Sequence, residues 1–210
     1  MTRAFDKAYW EEHWRQAGPS GAGSVGGHPP NPYLARESGD LVPGTADAGC
    51  GAGAEAIWLA SRGWQVTAVD IASAALAGAV ERATAGGTSD QVRWVEADLS
   101  RWEPGTRSDL VTTHYVHPAM PQLEFYDRIA RWVAPGGTLL IVGHLQTRGA
   151  ANPPAEASVT ATAITARLDE TTWEVVTAEE CYRTLVGHSG RSSVLHDVVV
   201  RAIRRPSHAA

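Results

Sequence analysis

The sequence predicts an α/β fold, in which mostly parallel strands alternate with helices and the chain closes on an antiparallel hairpin. Three observations predict it. The first is the stretch Thr45-Ala46-Asp47-Ala48-Gly49-Cys50-Gly51-Ala52-Gly53-Ala54-Glu55, where glycines recur at every second position and then give way to a helix-forming run. That pattern reads as a strand turning sharply into a helix. The second is the alternation, after this turn, of short β-prone runs with segments of helical period. The third is a last pair of strands, residues 173–177 and 194–203, joined without a crossover helix. A length of 210 residues suits one such domain with a full core.

Taken in order, residues 6–16 read as a short helix with Asp6 as N-cap and Tyr9, Trp10 and Trp14 as apolar members. Trp10 and Trp14 are four apart and share a face. The glycine- and proline-rich stretch 18–32 then reads as a loop. An aromatic helix on such a tether is either a lid over a bound small molecule or a helix packed outside the sheet. Residues 1–40 are accordingly divided, as a lid and recognition segment, from a core at 41–210. A second short helix at 33–38 leads to Pro43-Gly44 and to strand one, residues 45–48, which is so poor in bulky side chains that its assignment rests on the turn after it.

Residues 54–62 form the first crossover helix, with Gly63 as its stop, and residues 64–70 form strand two, ending in Asp70. The helix at 73–85, for which Ser73 offers an N-cap, stops at Gly86-Gly87; strand three covers 92–97 and is closed by Asp98-Leu99. Strand four, 109–113, leads into His114-Tyr115-Val116-His117-Pro118. A helix at 122–133 carries Leu123, Tyr126, Ile129 and Val133 at helical spacing, and Pro135-Gly136-Gly137 turns it into strand five, which runs to Val142. Residues 150–157 read as an irregular connection, 158–168 as a helix, and 185–193 as the joint of the final hairpin.

Glycine lacks the Cβ that would keep a ligand from the main chain, so the turn at 49–53 is a nucleotide cradle. The dinucleotide fingerprint G-x-G-x-x-G/A fits residues 49–54 literally, which keeps nicotinamide or flavin cofactors open. The wider run Asp47-x-Gly49-x-Gly51-x-Gly53 resembles motif I of the class I S-adenosylmethionine-dependent methyltransferases. An acid there suits a sulfonium and an ammonium, whereas it would repel a pyrophosphate. Asp70, seventeen residues beyond Gly53, sits near the ~20-residue spacing at which an acid holds ribose hydroxyls in either cofactor class.

The stretch from Ala56 through Gly63-Trp64 to Val69-Asp70 is similar to the tellurite-resistance and thiopurine methyltransferase branch, and the resemblance extends over about residues 9–204. It implies a Rossmann-like, doubly wound seven-stranded sheet of order 3-2-1-4-5-7-6, strand 7 antiparallel, with helices on both faces. It also implies that the N-terminal tryptophan segment closes on the cofactor, and that Asp98 meets the adenine amino group while the backbone of Leu99 meets a ring nitrogen. The cofactor contacts expected on this basis are Tyr9, Trp14, Asp47, Gly49, Cys50, Gly51, Gly53, Asp70, Ile71, Asp98, Leu99, Thr113 and His114. His28, Tyr33, Tyr115 and His117 are expected at the acceptor. The expected cofactor is S-adenosyl-L-methionine, leaving S-adenosyl-L-homocysteine, without a metal.

The implied reaction is in-line displacement at the methyl group by an N, O, S or C nucleophile, to which the protein contributes approach geometry and desolvation. His114 and His117 are the catalytic candidates: either a general base, with His28 second, or groups that orient an acceptor already able to attack. A metal reading of His114-x-x-His117 lacks accompanying ligands. Two other function classes stay open. One is a fold relative that only binds S-adenosyl ligands or catalyses another reaction; the other is a nicotinamide-dependent oxidoreductase, which Asp47 and Asp98 disfavour.

With 18 Lys+Arg against 23 Asp+Glu the chain has no electrostatic footprint for a polyanion, so nucleic acid is not expected as a substrate. Two cysteines, Cys50 and Cys181, make no disulfide framework and fit a reducing cytoplasm. No apolar run approaches the ~18 residues of a membrane span, and no leader-like start is evident. The Ala-, Gly- and Arg-rich composition with eight tryptophans points to a bacterial gene of specialised metabolism. Monomer and homodimer are both open.

Overall fold

The computed structural model describes residues 5–17, 30–145, 158–186 and 192–206. The chain divides into two compact units, Met1–Gly105 and Thr106–Ala210.

The first unit contains helices α1 (Lys7–Ala17) and α2 (Pro32–Ser38), strand β1 (Thr45–Gly49), helix α3 (Ala54–Ala60), strand β2 (Gln65–Asp70), helix α4 (Ser73–Ala85) and strand β3 (Val92–Glu96). Asp6 caps α1 as expected, its Oδ1 accepting from Tyr9 N at 2.9 Å. Asn31 does the same for α2 through Tyr33 N at 3.0 Å, with Pro32 in the first turn. β1, β2 and β3 pair in parallel, with Asp47 opposite Thr67 and Val69 opposite Val95. Buried alanines, among them Ala46, Ala68, Ala79 and Ala83, let strands and helices approach closely, and Leu59, Trp64 and Leu76 fill the remaining space. The bulk missing from β1 is therefore supplied by its neighbours. α3 ends two residues before the expected 62, because the chain tightens through Gly63, which bonds to Ala60 O and takes φ 91°.

The second unit contains β4 (Ser108–His114), α5 (Gln122–Ala130), β5 (Val133–Leu145), α6 (Ala161–Thr165), β6 (Trp173–Val186) and β7 (Ser192–Arg204). β4 and β5 are parallel; β7 runs antiparallel to both β5 and β6. Its core is made by Leu110, Phe125, Ile129, Leu139, Leu140, Ile141 and Val198 to Val200. Val133, expected in the helix, belongs to β5, where it pairs with Ser108. Apolarity at helical spacing cannot distinguish a last helical turn from a first buried strand residue. α6 is shorter than the expected 158–168, starting after a Thr160 cap that accepts from Ala163 N at 3.2 Å. β6 is much longer than 173–177 and passes an irregularity between Val175 and Thr177. The expected connection at 150–157 lies outside the described residues.

The strands make one seven-stranded sheet in the order β3-β2-β1-β4-β5-β7-β6, as the family resemblance implied. Among the described residues no helix is long and apolar enough to cross a membrane.

Candidate functional site

In the first unit the site begins with the backbone between β1 and α3. Cys50 N donates to Val69 O at 3.0 Å and Gly53 N donates to Cys50 O at 2.6 Å, which coils the turn. Gly51 and Gly53 take φ of 46° and 83°, the left-handed region that glycine tolerates. A Cβ on Gly53 would fall 2.8 Å from both the Ala79 Cβ and the Trp94 ring, and one on Gly51 would fall 3.2 Å from the Trp14 ring. Trp14 of α1 thus lies over the glycine turn. The Cys50 thiol is pushed well up by burial and then by the charges of Asp70 and Glu55, so it is no nucleophile. The side chain of Asp47, and the whole of His28, lie outside the described residues.

Asp70 ties the turn to the end of β2. One oxygen accepts from Gly51 N at 2.8 Å and the other from Ala72 N at 2.9 Å. Burial raises its carboxyl more than the bonds from Ala72, Gly51 and Ile71 lower it. Each oxygen keeps a second lone-pair direction for a further donor. Asp98, half-buried after β3, holds its own turn by accepting from Ser100 N at 2.8 Å through Oδ1. Its Oδ2 makes no hydrogen bond among the described residues and can accept from an amino group. Leu99 is half-buried beside it.

Ser73 does not cap α4. The N-cap residue is Ala72, which has no side chain to offer, and the cap comes instead from Glu11 of α1. Glu11 accepts from Ser73 N at 2.8 Å, Ser73 Oγ at 2.9 Å and Ala74 N at 3.5 Å. Burial pushes the Glu11 carboxyl up, but these bonds and one from Lys7 outweigh it and hold it below the usual range. Lys7 also donates to Ile71 O at 3.0 Å and pairs with Glu96. α1 is therefore fastened to the β2–α4 turn that carries Asp70. Tyr9 and Trp10 pack edge to face at 5.1 Å within an aromatic group completed by Phe5 and His13. Tyr33 is buried on α2 with the Arg36 guanidinium 5.0 Å from its ring centre.

In the second unit the carboxyl end of β4 carries Thr113, whose buried hydroxyl has no partner among the described residues, and His114, whose Nε2 lies 2.8 Å from Thr112 Oγ1. Tyr115 follows at φ 56°, the one non-glycine residue with positive φ among those described. Its ring stacks on His144 of β5 at 3.7 Å and 10°, and its hydroxyl accepts from Arg183 Nη2 at 2.8 Å. His144 Nδ1 is 2.9 Å from Asp197 Oδ1, and Arg183 Nε donates to Asp197 Oδ2 at 2.5 Å. The Asp197 side chain has 0% exposure. Burial raises its carboxyl, yet the hydrogen bonds and charges of His144 and Arg183 hold it below the ordinary range. His117 is pushed down to about 4, first by burial and then by His144, against a raising bond with Gln122.

His144, Asp197 and Arg183 escape a reading of the sequence, as do Lys7 and Glu11. One signal was available: Asp197 interrupts the apolar run at 194–203, and a carboxylate inside a central strand needs partners.

Residues 46–137 match a family model described as a methyltransferase domain. That stretch, which holds the glycine turn, Asp70 and Asp98, is thus similar to methyltransferase domains. Among solved structures, the fold is similar to one from work on the conversion of a disulfide bond into a thioacetal group during echinomycin biosynthesis. That pair shares 20% identity and a TM-score of 0.70, over 97% of this chain and 93% of the other. Magnesium protoporphyrin IX methyltransferase (ChlM) from Synechocystis PCC 6803, solved with bound S-adenosylhomocysteine, shares 18% identity at TM-score 0.66, covering 94% and 97%. TehB from Haemophilus influenzae shares 16% at TM-score 0.69, covering 83% of this chain and 62% of that one. No curated protein matches this chain in sequence.

The residues in hand fit S-adenosylmethionine. Gly51 and Gly53 leave main chain bare in a left-handed turn, Asp70 offers acceptors to a diol, and the Asp98 Oδ2 stands ready for an amino group.

Proposed function

We propose that this protein transfers a methyl group from S-adenosylmethionine to a small-molecule acceptor, a reaction of the EC 2.1.1 type. The observation that carries this reading is the bond from Gly51 N to Asp70, which fastens the glycine turn to the acid at the end of β2. The cofactor, when bound, supplies an electrophilic methyl group; the chain supplies the rest. Gly49, Cys50, Gly51 and Gly53 present main chain, Asp70 and Ile71 take the ribose, and Asp98 and Leu99 take the adenine. Asp47, Thr113 and His114 serve the methionine end. The segment at residues 1–40 acts as a lid on the core, with Tyr9 and Trp14 of α1 over the cofactor; the position of Trp14 at Gly51 and the Glu11 cap support it.

At the acceptor, His114 and His117 orient the nucleophile, with Tyr33 and Tyr115 lining the approach. A His117 held near 4 is neutral at physiological pH and accepts hydrogen bonds without competing for the proton. The net charge of −5 supports a small acceptor over nucleic acid, and the composition supports a bacterial, cytoplasmic role in specialised metabolism.

Calorimetric titration with S-adenosylmethionine, S-adenosylhomocysteine and NADH tests the cofactor. Binding of both sulfur ligands and none of NADH is expected. Binding of NADH alone would overturn the proposal. Turnover of labelled methyl groups then separates transfer from mere binding.

A further inference from the structure

We propose that His144, oriented by Asp197, is the general base of the reaction and that the acceptor is therefore a phenolic hydroxyl. This rests on the methyltransferase reading and deepens it.

The geometry defines the imidazole. An ionised carboxylate only accepts, so the His144 nitrogen 2.9 Å from Asp197 Oδ1 carries the hydrogen. Nε2 is left as a lone-pair acceptor, and among the described residues nothing bonds it. The ring cannot swing freely, because Tyr115 stacks on it at 3.7 Å while Arg183 holds the Tyr115 hydroxyl. Arg183 also secures the second oxygen of Asp197, so one guanidinium fixes both the acid behind the imidazole and the aromatic plate beside it. The His144 side chain keeps 21% exposure, against 0% for Asp197. The dyad thus has a closed end and an open one.

Such an arrangement is costly as mere structure. A carboxylate buried in a central strand loses solvation that an apolar residue would not, and an ion pair there seldom returns more than it loses. Tyr115 adds a left-handed backbone conformation that a tyrosine adopts only under constraint. Groups arranged at such expense cluster where chemistry is done. The residues also converge at a suitable place, since Tyr115 and His144 leave or end β4 and β5 at their carboxyl ends, where open α/β sheets take ligands.

The other histidines suit the role less well. His114 has its Nε2 engaged by Thr112, and His117 is held near 4, so it retains a proton weakly. Among the described residues, the charged and titratable groups around His144 include Asp197 of β7, Arg183 of β6, and Tyr115 and His117 after β4. A base matters most for an acceptor that keeps its proton at neutral pH yet can yield it to imidazole. A phenol, with pKa of about 10, meets both conditions; a protonated amine meets them too, and the benzylamine arm below separates the two. In the transfer the O–H bond breaks as the O–CH3 bond forms. The electron pair of the methyl–sulfur bond stays with sulfur, and the proton ends on His144 Nε2.

The test follows labelled methyl transfer from S-adenosylmethionine to simple phenols graded in acidity, with benzylamine and thiophenol alongside, in wild type, H144Q and D197N. Cofactor affinity is measured on the same samples. H144Q is expected to lose roughly 10²–10⁴-fold in kcat/KM on weakly acidic phenols. The loss should shrink toward nothing for phenols already ionised at the assay pH, with cofactor affinity unchanged. D197N should show the same dependence on acidity and carries the comparison if H144Q loses cofactor binding. An equal loss at every acidity, no loss, transfer confined to the amine or thiol, or a cofactor-bound wild type that methylates no phenol would each overturn the assignment. A wild type that fails to bind S-adenosylmethionine would instead sink the methyltransferase reading itself.

Discussion

Gly53 and Asp70 are the two residues on which the cradle depends, for opposite reasons. Gly53 is constrained by what it lacks: φ of 83° disfavours any L side chain, and a Cβ would meet Ala79 and Trp94 at 2.8 Å. Gly53→Ala is expected to cost about 2–5 kcal/mol, read from urea unfolding. Asp70 is constrained by what it holds. Asp70→Ala frees Gly51 N and removes the acceptors for a diol, so S-adenosylmethionine affinity should fall roughly tenfold or more by calorimetry. Unchanged affinity would remove the ribose assignment. Both residues are legible in the sequence, because glycine spacing and an acid at a strand end are local signals. His144 and Asp197 are not, since their meeting depends on the register that sets Asp197 opposite His144, fifty-three positions away.

Among the elements, α1 and α4 are tied to each other. Helix α4 starts at Ser73, after an Ala72 that offers no cap, and borrows its N-terminal cap from Glu11, while Lys7 holds the same turn from Ile71 O. A Glu11→Gln change should cost about 1 kcal/mol and lower Tm by about 2–4 °C. It should also weaken S-adenosylmethionine binding, which a purely external helix would not do. The sequence shows α1 as a helix with an Asp6 cap, but not where it docks, because Glu11 looks like any solvated acid in a charged helix. The length of β6 is hidden for a related reason: it is an edge strand, and Glu179, Glu180 and Arg183 give it the polar look of a connection. Strand order, by contrast, came through the family resemblance and agrees throughout.

For the whole molecule, His117 sets a limit on acid stability. Its folded value of about 4 lies below the ordinary 6.5, so the unfolded chain binds the proton first. Stability is therefore full above about 6.5 and falls as pH drops from there toward about 4, by at most about 3 kcal/mol. Asp197 adds a second loss only at lower pH, because its carboxyl is held below the ordinary range and its contribution persists until it protonates. Urea unfolding of wild type and His117→Gln across that interval checks the assignment: the variant should lose the slope and keep the loss at lower pH. The borrowed cap has one more consequence. While Glu11 is in place, the amide hydrogen of Ser73 is bonded to it, and when α1 lifts away that amide has no substitute from Ala72. Its exchange with deuterated solvent is thus a clock for the excursions of α1, readable without any ligand, and one that bound S-adenosylmethionine should slow.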